Sequence, residues 1–84
     1  MTTETLEHCK ELVCGQGPGT FDIVAAGAPG DGDVNVLGPG GAILFSIPTG
    51  TSMPVPLGPI PLTLHYVKGP QGPNSVTVEI TKLP

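Results

Sequence analysis

Two cysteines and two histidines are the side chains in this sequence best suited to metal or nucleophilic chemistry. Cys9 and Cys14 stand five positions apart, His8 precedes the first thiol, and His65 is remote along the chain. A structural zinc site needs about four ligands, usually supplied as closely spaced pairs. A cysteine nucleophile needs a base and a group that orients the base, and this spacing marks neither. We therefore predict no metal and no cofactor, and we interpret both thiols as buried structural residues.

Acidic and glycine-rich segments are the other candidates for chemistry. Asp31 and Asp33 flank Gly32, but the spacing and the closing glutamate of a calcium loop are missing, so the segment is typical of a turn. Residues 38–41 are rich in glycine, but no Lys-Ser/Thr pair follows, as a phosphate loop would require. With no catalytic constellation in the sequence, we predict a protein that is not an enzyme and that binds other protein surfaces.

Composition limits the partners. The 84 residues fit one domain and include 10 charged side chains, of which three are lysines and none is arginine. Nucleic-acid binding depends on clustered cations, so the net charge of −4 argues against it. A surface with so few charges is either covered by neutral polar groups or buried in an assembly. Both interpretations remain open from the sequence.

The first 15 residues predict an N-terminal helical arm. Residues 3–14 have apolar side chains at helical spacing, a threonine before them and Gly15 after them, which is the pattern of a capped amphipathic helix. So short a helix is unstable alone and has to dock on something. We therefore expect its apolar side chains to bind a partner: Leu6, Leu12 and Val13.

Residues 16–84 predict a β-rich body. Short apolar or alternating segments at residues 20–26, 33–37, 42–47, 62–68 and 75–83 are separated by glycine and proline, at intervals of roughly ten residues. This pattern predicts a mainly β fold, a small antiparallel sandwich or barrel. The continuous apolar run at 42–47 indicates a strand covered on both faces, and residues 69–74 predict a hairpin loop between the last two strands.

Residues 52–61 depart from the strand pattern. Prolines at positions 54, 56, 59 and 61 alternate with apolar residues, and proline lacks the N–H that a central strand needs. The sequence therefore predicts an extended, polyproline-like arm that presents apolar side chains to another chain. The residues expected to make that contact are Met53, Val55, Leu57 and Ile60.

In size, β content, and abundance of glycine and proline, the chain resembles bacteriophage head-decoration (cement) proteins. No apolar signal segment or membrane span is visible, which predicts synthesis in the host cytoplasm and no membrane contact. The resemblance implies a place on the virion surface, the major capsid protein as partner, and a homo-oligomer, often a trimer. The alternatives are an immunoglobulin-like or fibre-type binding module of a phage tail or adhesion structure, and a small cytoplasmic enzyme subunit or regulator.

Overall fold

A computed structural model describes residues 2–84, which form eight β-strands and one short 3-10 turn. Glycine or proline stands in or beside most of the connections, so each strand ends after six to eight residues. The strands are β1 (Thr2–Glu7), β2 (Glu11–Gln16), β3 (Gly19–Ala26), β4 (Gly32–Leu37), β5 (Ile43–Pro48), β6 (Thr51–Leu57), β7 (Pro61–Lys68) and β8 (Ser75–Lys82).

The strands form two four-stranded antiparallel sheets packed face to face. Sheet A has the order β1-β8-β3-β6 and sheet B the order β2-β7-β4-β5. Only β4 and β5 are consecutive strands that pair with each other, and every other connection crosses from one sheet to the other. This connectivity is that of an eight-stranded jelly roll, in which the sheets stay separate and do not close into a barrel.

The core lies between the sheets and follows strand alternation. In β8 the inward Val76, Val78 and Ile80 are buried, while the side chains between them face solvent. From sheet B, Leu64 and Tyr66 of β7 are fully buried. The core cluster draws on seven strands: Leu6, Phe21, Ile23, Ala25, Val34, Val36, Ile47, Val55, Leu57, Leu62, Leu64, Tyr66, Val76, Val78 and Ile80.

Loops at one end of the sandwich, here called the upper end, are held together by hydrogen bonds. The Tyr66 hydroxyl, inside the core, donates to the carbonyl of Pro73 at 3.0 Å, and it lies 3.3 Å from the carbonyl of Asp31. Burial, with Asp31 as a smaller cause, raises the pKa of Tyr66, so the phenol stays a proton donor. The buried Thr49 hydroxyl donates to the Ala28 carbonyl at 2.8 Å. These hydrogen bonds link the loops between β3 and β4, between β5 and β6, and between β7 and β8.

The predicted N-terminal helix is wrong. Residues 3–14 form most of β1 and β2, which lie in different sheets, with β1 paired to β8 and β2 to β7. Cys9 adopts a left-handed φ of 63°, and the Lys10 N–H donates to the Glu7 carbonyl, so the chain turns where the helix was expected to continue. Three threonines near the start of β1 favour a strand, because their branched side chains suit a pleated surface. Residues 2–16 are thus part of the sandwich and not a separate arm.

The proline-rich arm is also not an arm over most of its length. Residues 51–57 form β6, which pairs with β3 along its whole length. β6 is the edge strand of sheet A, and an edge is where a strand tolerates proline, because one row of N–H groups needs no partner there. Pro54 and Pro56 are exposed, whereas Val55 and Leu57 between and after them are buried in the core.

The five segments predicted as strands are strands, with small shifts at their ends. Two details were wrong. β5 is an edge strand whose Ile43 and Leu44 are exposed, so it is not covered on both faces. Residues 69–74 join strands of opposite sheets and do not form a hairpin. The sheet order also differs from the immunoglobulin arrangement, in which consecutive strands A and B lie side by side.

Candidate binding surfaces

An apolar row crosses the outer face of sheet B near the lower end of the sandwich. Val13 of β2 lies opposite Thr63 of β7, Thr63 opposite Leu37 of β4, and Leu37 opposite Ile43 of β5. Val13 is 66% exposed and Ile43 is 61% exposed, the two largest values among the large hydrophobic side chains. We call these four residues, Val13, Thr63, Leu37 and Ile43, the apolar row.

Strand alternation places the apolar row on the outside of the sheet. Its neighbours Val36 and Leu64 are fully buried in the core, so the residues next to them along each strand face outward. Leu37 is 7% exposed and lies outside the core cluster. The exposed apolar surface of the row is thus at its two ends, Val13 on β2 and Ile43 on β5, with half-buried Thr63 and buried Leu37 between them.

A β-bulge widens the apolar row at β5. Val36 pairs with Phe45 and Leu37 with Ile43, which leaves Leu44 as an extra residue between the two pairs. The Leu44 side chain is 46% exposed and lies against the backbone of Gly38, where an added Cβ would come within 3.1 Å of it. Leu44 thus adds a second exposed apolar side chain beside Ile43.

The outer face of sheet A has the opposite character. Its outward positions are mostly hydroxyl and carboxyl side chains, interrupted by Val24, Ala26 and two prolines. None of the large hydrophobic side chains with high exposure lies in its strands. The polar residues on this face are Thr3, Thr5, Glu7, Thr20, Asp22, Ser52, Ser75, Thr77, Glu79 and Thr81.

A cavity of about 570 Å³ opens between the sheets, where the edge strands β1 and β2 lie over each other. It exists because the inward positions of β1 near the lower end are Thr2 and Glu4, which do not fill the core as Leu6 does. The walls combine apolar and charged groups: Thr2, Glu4, Val13, Cys14, Gly15, Phe21, Ile80, Thr81 and Lys82.

Charge and burial in this cavity act on Cys14. Burial first, and the Glu4 carboxylate second, raise the pKa of the Cys14 thiol from 9.0 to about 11. The thiol is packed against the core and stays protonated at neutral pH. The Lys82 ammonium lies 6.0 Å from the centroid of the Phe21 ring, at cation–π range. The cavity thus presents one carboxylate and one ammonium above an apolar floor.

The second thiol, Cys9, is exposed at the upper end, in the turn between β1 and β2. The Lys68 N–H donates to His8 Nδ1 at 3.1 Å, so the imidazole proton resides on Nε2, which lies 3.1 Å from Cys9 Sγ. In this tautomer His8 offers the thiol a hydrogen and not a free base. The prediction of two buried thiols is therefore wrong for Cys9, which is exposed, while Cys14 is half-buried and packs against the core.

The structure separates the seven residues predicted to bind a partner. Leu6, Val55 and Leu57 belong to the core cluster, and their side chains are therefore not free to bind another chain. Leu12, Met53 and Ile60 are partly buried and pack against that core. Val13 alone among the seven is largely exposed, and it lies in the apolar row. That these seven residues bind a partner stays a prediction. Among them, Val13 is the one whose side chain is exposed enough to make such a contact.

Sequence reasoning missed Ile43 and Leu44 as exposed surface residues and Leu37 as an outward-facing residue outside the core cluster. The signal that was available is the run of large apolar residues at 43–45, which breaks the alternation expected of an edge strand. The run at 42–47 predicts a strand covered on both faces, and nothing in the local sequence shows that β5 lies at a sheet edge with one face partly exposed.

No group of three or more histidine, cysteine, aspartate or glutamate side chains within residues 2–84 is arranged to hold a metal ion. Over the same residues, no helix has the length and apolar character needed to cross a membrane. Neither a family model, nor a curated protein, nor a solved structure matches this chain.

Proposed function

We propose that this protein is a non-catalytic structural module that lies flat on a viral capsid and stabilises it, with the outer face of sheet B against the shell. The observation that carries the proposal is the contrast between the two outer faces. Val13, Ile43 and Leu44 expose apolar surface on one side, while the other side carries hydroxyl and carboxyl groups. A module with one apolar and one polar face suits attachment by one side and contact with solvent by the other.

The dimensions of the molecule support attachment by a face. The principal extents are 35 × 26 × 16 Å, so the molecule is a slab whose broad face measures roughly 900 Å². A standard stable interface buries about 800 Å² on each partner. Full contact of one broad face with a shell would therefore supply an interface of ordinary size.

Three of the four edge strands have features that hinder pairing with a strand of another chain, which favours contact through a face of the sandwich. β6 carries Pro54 and Pro56. β2 has an irregular register between Val13 and Gln16, and β5 has the bulge at Leu44. Prolines and bulges are devices that prevent a sheet edge from pairing with another chain. Copies of this module are thus poorly suited to join through these three strands.

Charge distribution supports a protein partner. The three lysines lie at positions 10, 68 and 82, in a turn and at strand ends, so the lysines form no cluster that would suit a nucleic-acid backbone. Within the outer face of sheet B the charged side chains are Glu11, the outward position next to Val13 on β2, and Asp33, four residues from Leu37 on β4. Few charges near the row keep the desolvation penalty of burying it small.

The partner in this proposal is the major capsid protein, and the place of action is the virion surface. Jelly rolls occur in capsid domains, but also in lectins and cupins, so the fold alone does not decide the matter. Identical copies placed around a symmetric junction of the shell would form a closed oligomer, a homotrimer at a three-fold axis.

The experiment compares two variants on capsid shells reconstituted from the cognate major capsid protein. Val13→Lys combined with Ile43→Lys alters the apolar row, and Thr3→Lys combined with Thr77→Lys adds the same charge to sheet A. Each buried aliphatic side chain contributes about 1.5–3 kcal/mol, so the sheet B variant is expected to bind at least about a hundredfold more weakly in co-sedimentation. The sheet A variant is expected to bind like the original protein.

Heat resistance of the shells supplies the second measurement. Shells decorated with the original protein or the sheet A variant should withstand higher temperatures than bare shells or shells mixed with the sheet B variant. Equal binding by both variants would disprove attachment through sheet B. Equal heat resistance of bare and decorated shells would disprove the stabilising role.

A further inference from the structure

The edge strand β1 differs from the other three edges. It pairs with β8 in an unbroken register over six residues, from Thr2 opposite Ile80 to Glu7 opposite Ser75. It contains no proline and no bulge. On its other side β1 has no strand partner within residues 2–84. The backbone N–H and C=O groups of alternate residues therefore point away from the sheet. Such an edge can accept one more strand.

The cavity between the sheets lies directly beside this edge. Thr2 and Glu4 of β1 form one wall, and Val13, Cys14 and Gly15 of β2 form the opposite wall. A fifth strand added to sheet A at β1 would point alternate side chains toward sheet B. Those side chains would lie over the cavity, whose floor is Phe21 and Ile80. The cavity is large enough for an aliphatic or aromatic side chain.

The charged side chains on β1 and β2 are all carboxylates, while the cavity wall also holds the ammonium of Lys82 from β8, next to the Phe21 ring. β1 carries Glu4 and Glu7, β2 begins with Glu11, and neither strand contains a cation. Glu4 is half-buried at the cavity wall, and its carboxylate is close enough to affect the thiol of Cys14. A cationic side chain entering opposite Glu4 would offset the cost of keeping that carboxylate away from water.

We infer that β1 and the adjoining cavity bind an extended peptide segment of a partner protein as a fifth strand of sheet A, with one apolar side chain in the cavity and a lysine or arginine opposite Glu4. The site is separate from the apolar row except for Val13 at its rim, and the inference does not depend on the capsid proposal. A second copy of this chain is a poor occupant. Antiparallel pairing of two β1 strands would bring Glu4 and Glu7 of both copies onto one edge, where like charges repel.

The probe is the peptide acetyl-Thr-Val-Thr-Lys-Thr-Leu-Thr-amide, titrated into the full-length ¹⁵N-labelled protein and followed by NMR. In an antiparallel arrangement its Val, Lys and Leu lie opposite Leu6, Glu4 and Thr2. Chemical-shift changes are expected at the amides of residues 2–7 and of Cys14 and Gly15. Replacing the peptide Lys by Glu should weaken binding at least about tenfold, because an attractive pair becomes repulsive.

A charge exchange tests the contact with Glu4. Glu4→Lys should reverse the preference, binding the Glu peptide more tightly than the Lys peptide, and Glu4→Gln should reduce the difference between them. Two N-methylated peptides, modified on alternate residues, test the backbone pairing, since only one set of amides faces β1. One methylated set should lose binding and the other should keep it.

The outcomes that overturn the inference are distinct. Shift changes confined to β5 or to the outer face of sheet B, or no binding at millimolar peptide, would exclude the β1 site. Equal effects of both N-methylated sets would exclude strand pairing, and an unchanged preference in Glu4→Gln and Glu4→Lys would exclude the charge contact. Ile43→Lys tests the apolar row separately, because Ile43 belongs to that row and does not line the cavity.

Discussion

The two outer faces of this sandwich are built on the same alternation but end with opposite chemistry. In sheet A, the positions between buried core residues are filled mainly by threonine, serine and carboxylates, for example Thr77 and Glu79 in β8. In sheet B, the same kind of position holds Val13, Leu37 and Ile43. An antiparallel sheet that packs one face on the core usually has polar side chains on the other face, in contact with water, and sheet A follows this pattern. The apolar positions of sheet B therefore call for a further reason, and a surface for attachment supplies one.

The largest expected effect is on the free energy of unfolding, and it tests whether one side of β6 faces the core and the other faces solvent. Val55→Asp would place an unpaired carboxylate in the core, where Val55 is fully buried, and should lower the free energy of unfolding by more than about 3 kcal/mol. Pro54→Asp, one position away on the exposed side, should change it little. Urea titration followed by circular dichroism measures both. Comparable stability of the two variants would contradict the burial of Val55 and support the extended arm that the sequence predicts for residues 52–61.

A smaller effect is expected in the reactivity of Cys14, which lines the cavity between the edge strands β1 and β2. The pKa of Cys14 is raised from 9.0 to about 11, so at pH 8 its thiolate fraction should be about a hundredfold lower in the native than in the unfolded protein. Iodoacetamide labelling with mass mapping should therefore modify exposed Cys9 in the native protein and Cys14 mainly after unfolding. Fast native labelling of Cys14 would contradict the cavity geometry.

The same shift has a consequence for stability against pH. Well below pH 9 the Cys14 thiol is protonated in both the native and the unfolded protein, and it gives the free energy of unfolding no pH dependence. Between pH 9 and about 11 the unfolded chain ionises first, so the free energy of unfolding should fall as pH rises. Cys14→Ser should remove that part of the slope, whereas Cys9→Ser should leave it in place.

The smallest expected effect sharpens the comparison between the faces themselves. Thr77→Lys on sheet A and Ile43→Lys on sheet B both alter exposed side chains, and each should change the free energy of unfolding by no more than about 0.5 kcal/mol. Their difference should lie in solubility, which Ile43→Lys should raise by removing exposed apolar surface. A large loss of stability in Ile43→Lys would mean that the apolar row serves the fold and not a partner.

The sequence by itself determined the strand class of the body. β8 was predictable because Val76, Val78 and Ile80 alternate with polar residues, and this alternation is a local property of an extended chain. Spacing of glycine and proline marked the connections for the same local reason. The helical prediction for residues 3–14 failed because a few apolar residues fit both periods, and only pairing with β8 and β7 selects the strand.

Only the tertiary structure decided which strands are neighbours, and with them the candidate sites. β1 pairs with β8 from opposite ends of the chain, and β6 becomes an edge because no strand follows it in sheet A. Those partnerships convert the same local patterns into different surfaces: prolines turn toward solvent, Val55 enters the core, and Ile43 comes into line with Val13 across four strands. The physical reason is that side-chain alternation is set residue by residue, whereas hydrogen-bond partners and register are chosen by burial across the whole fold.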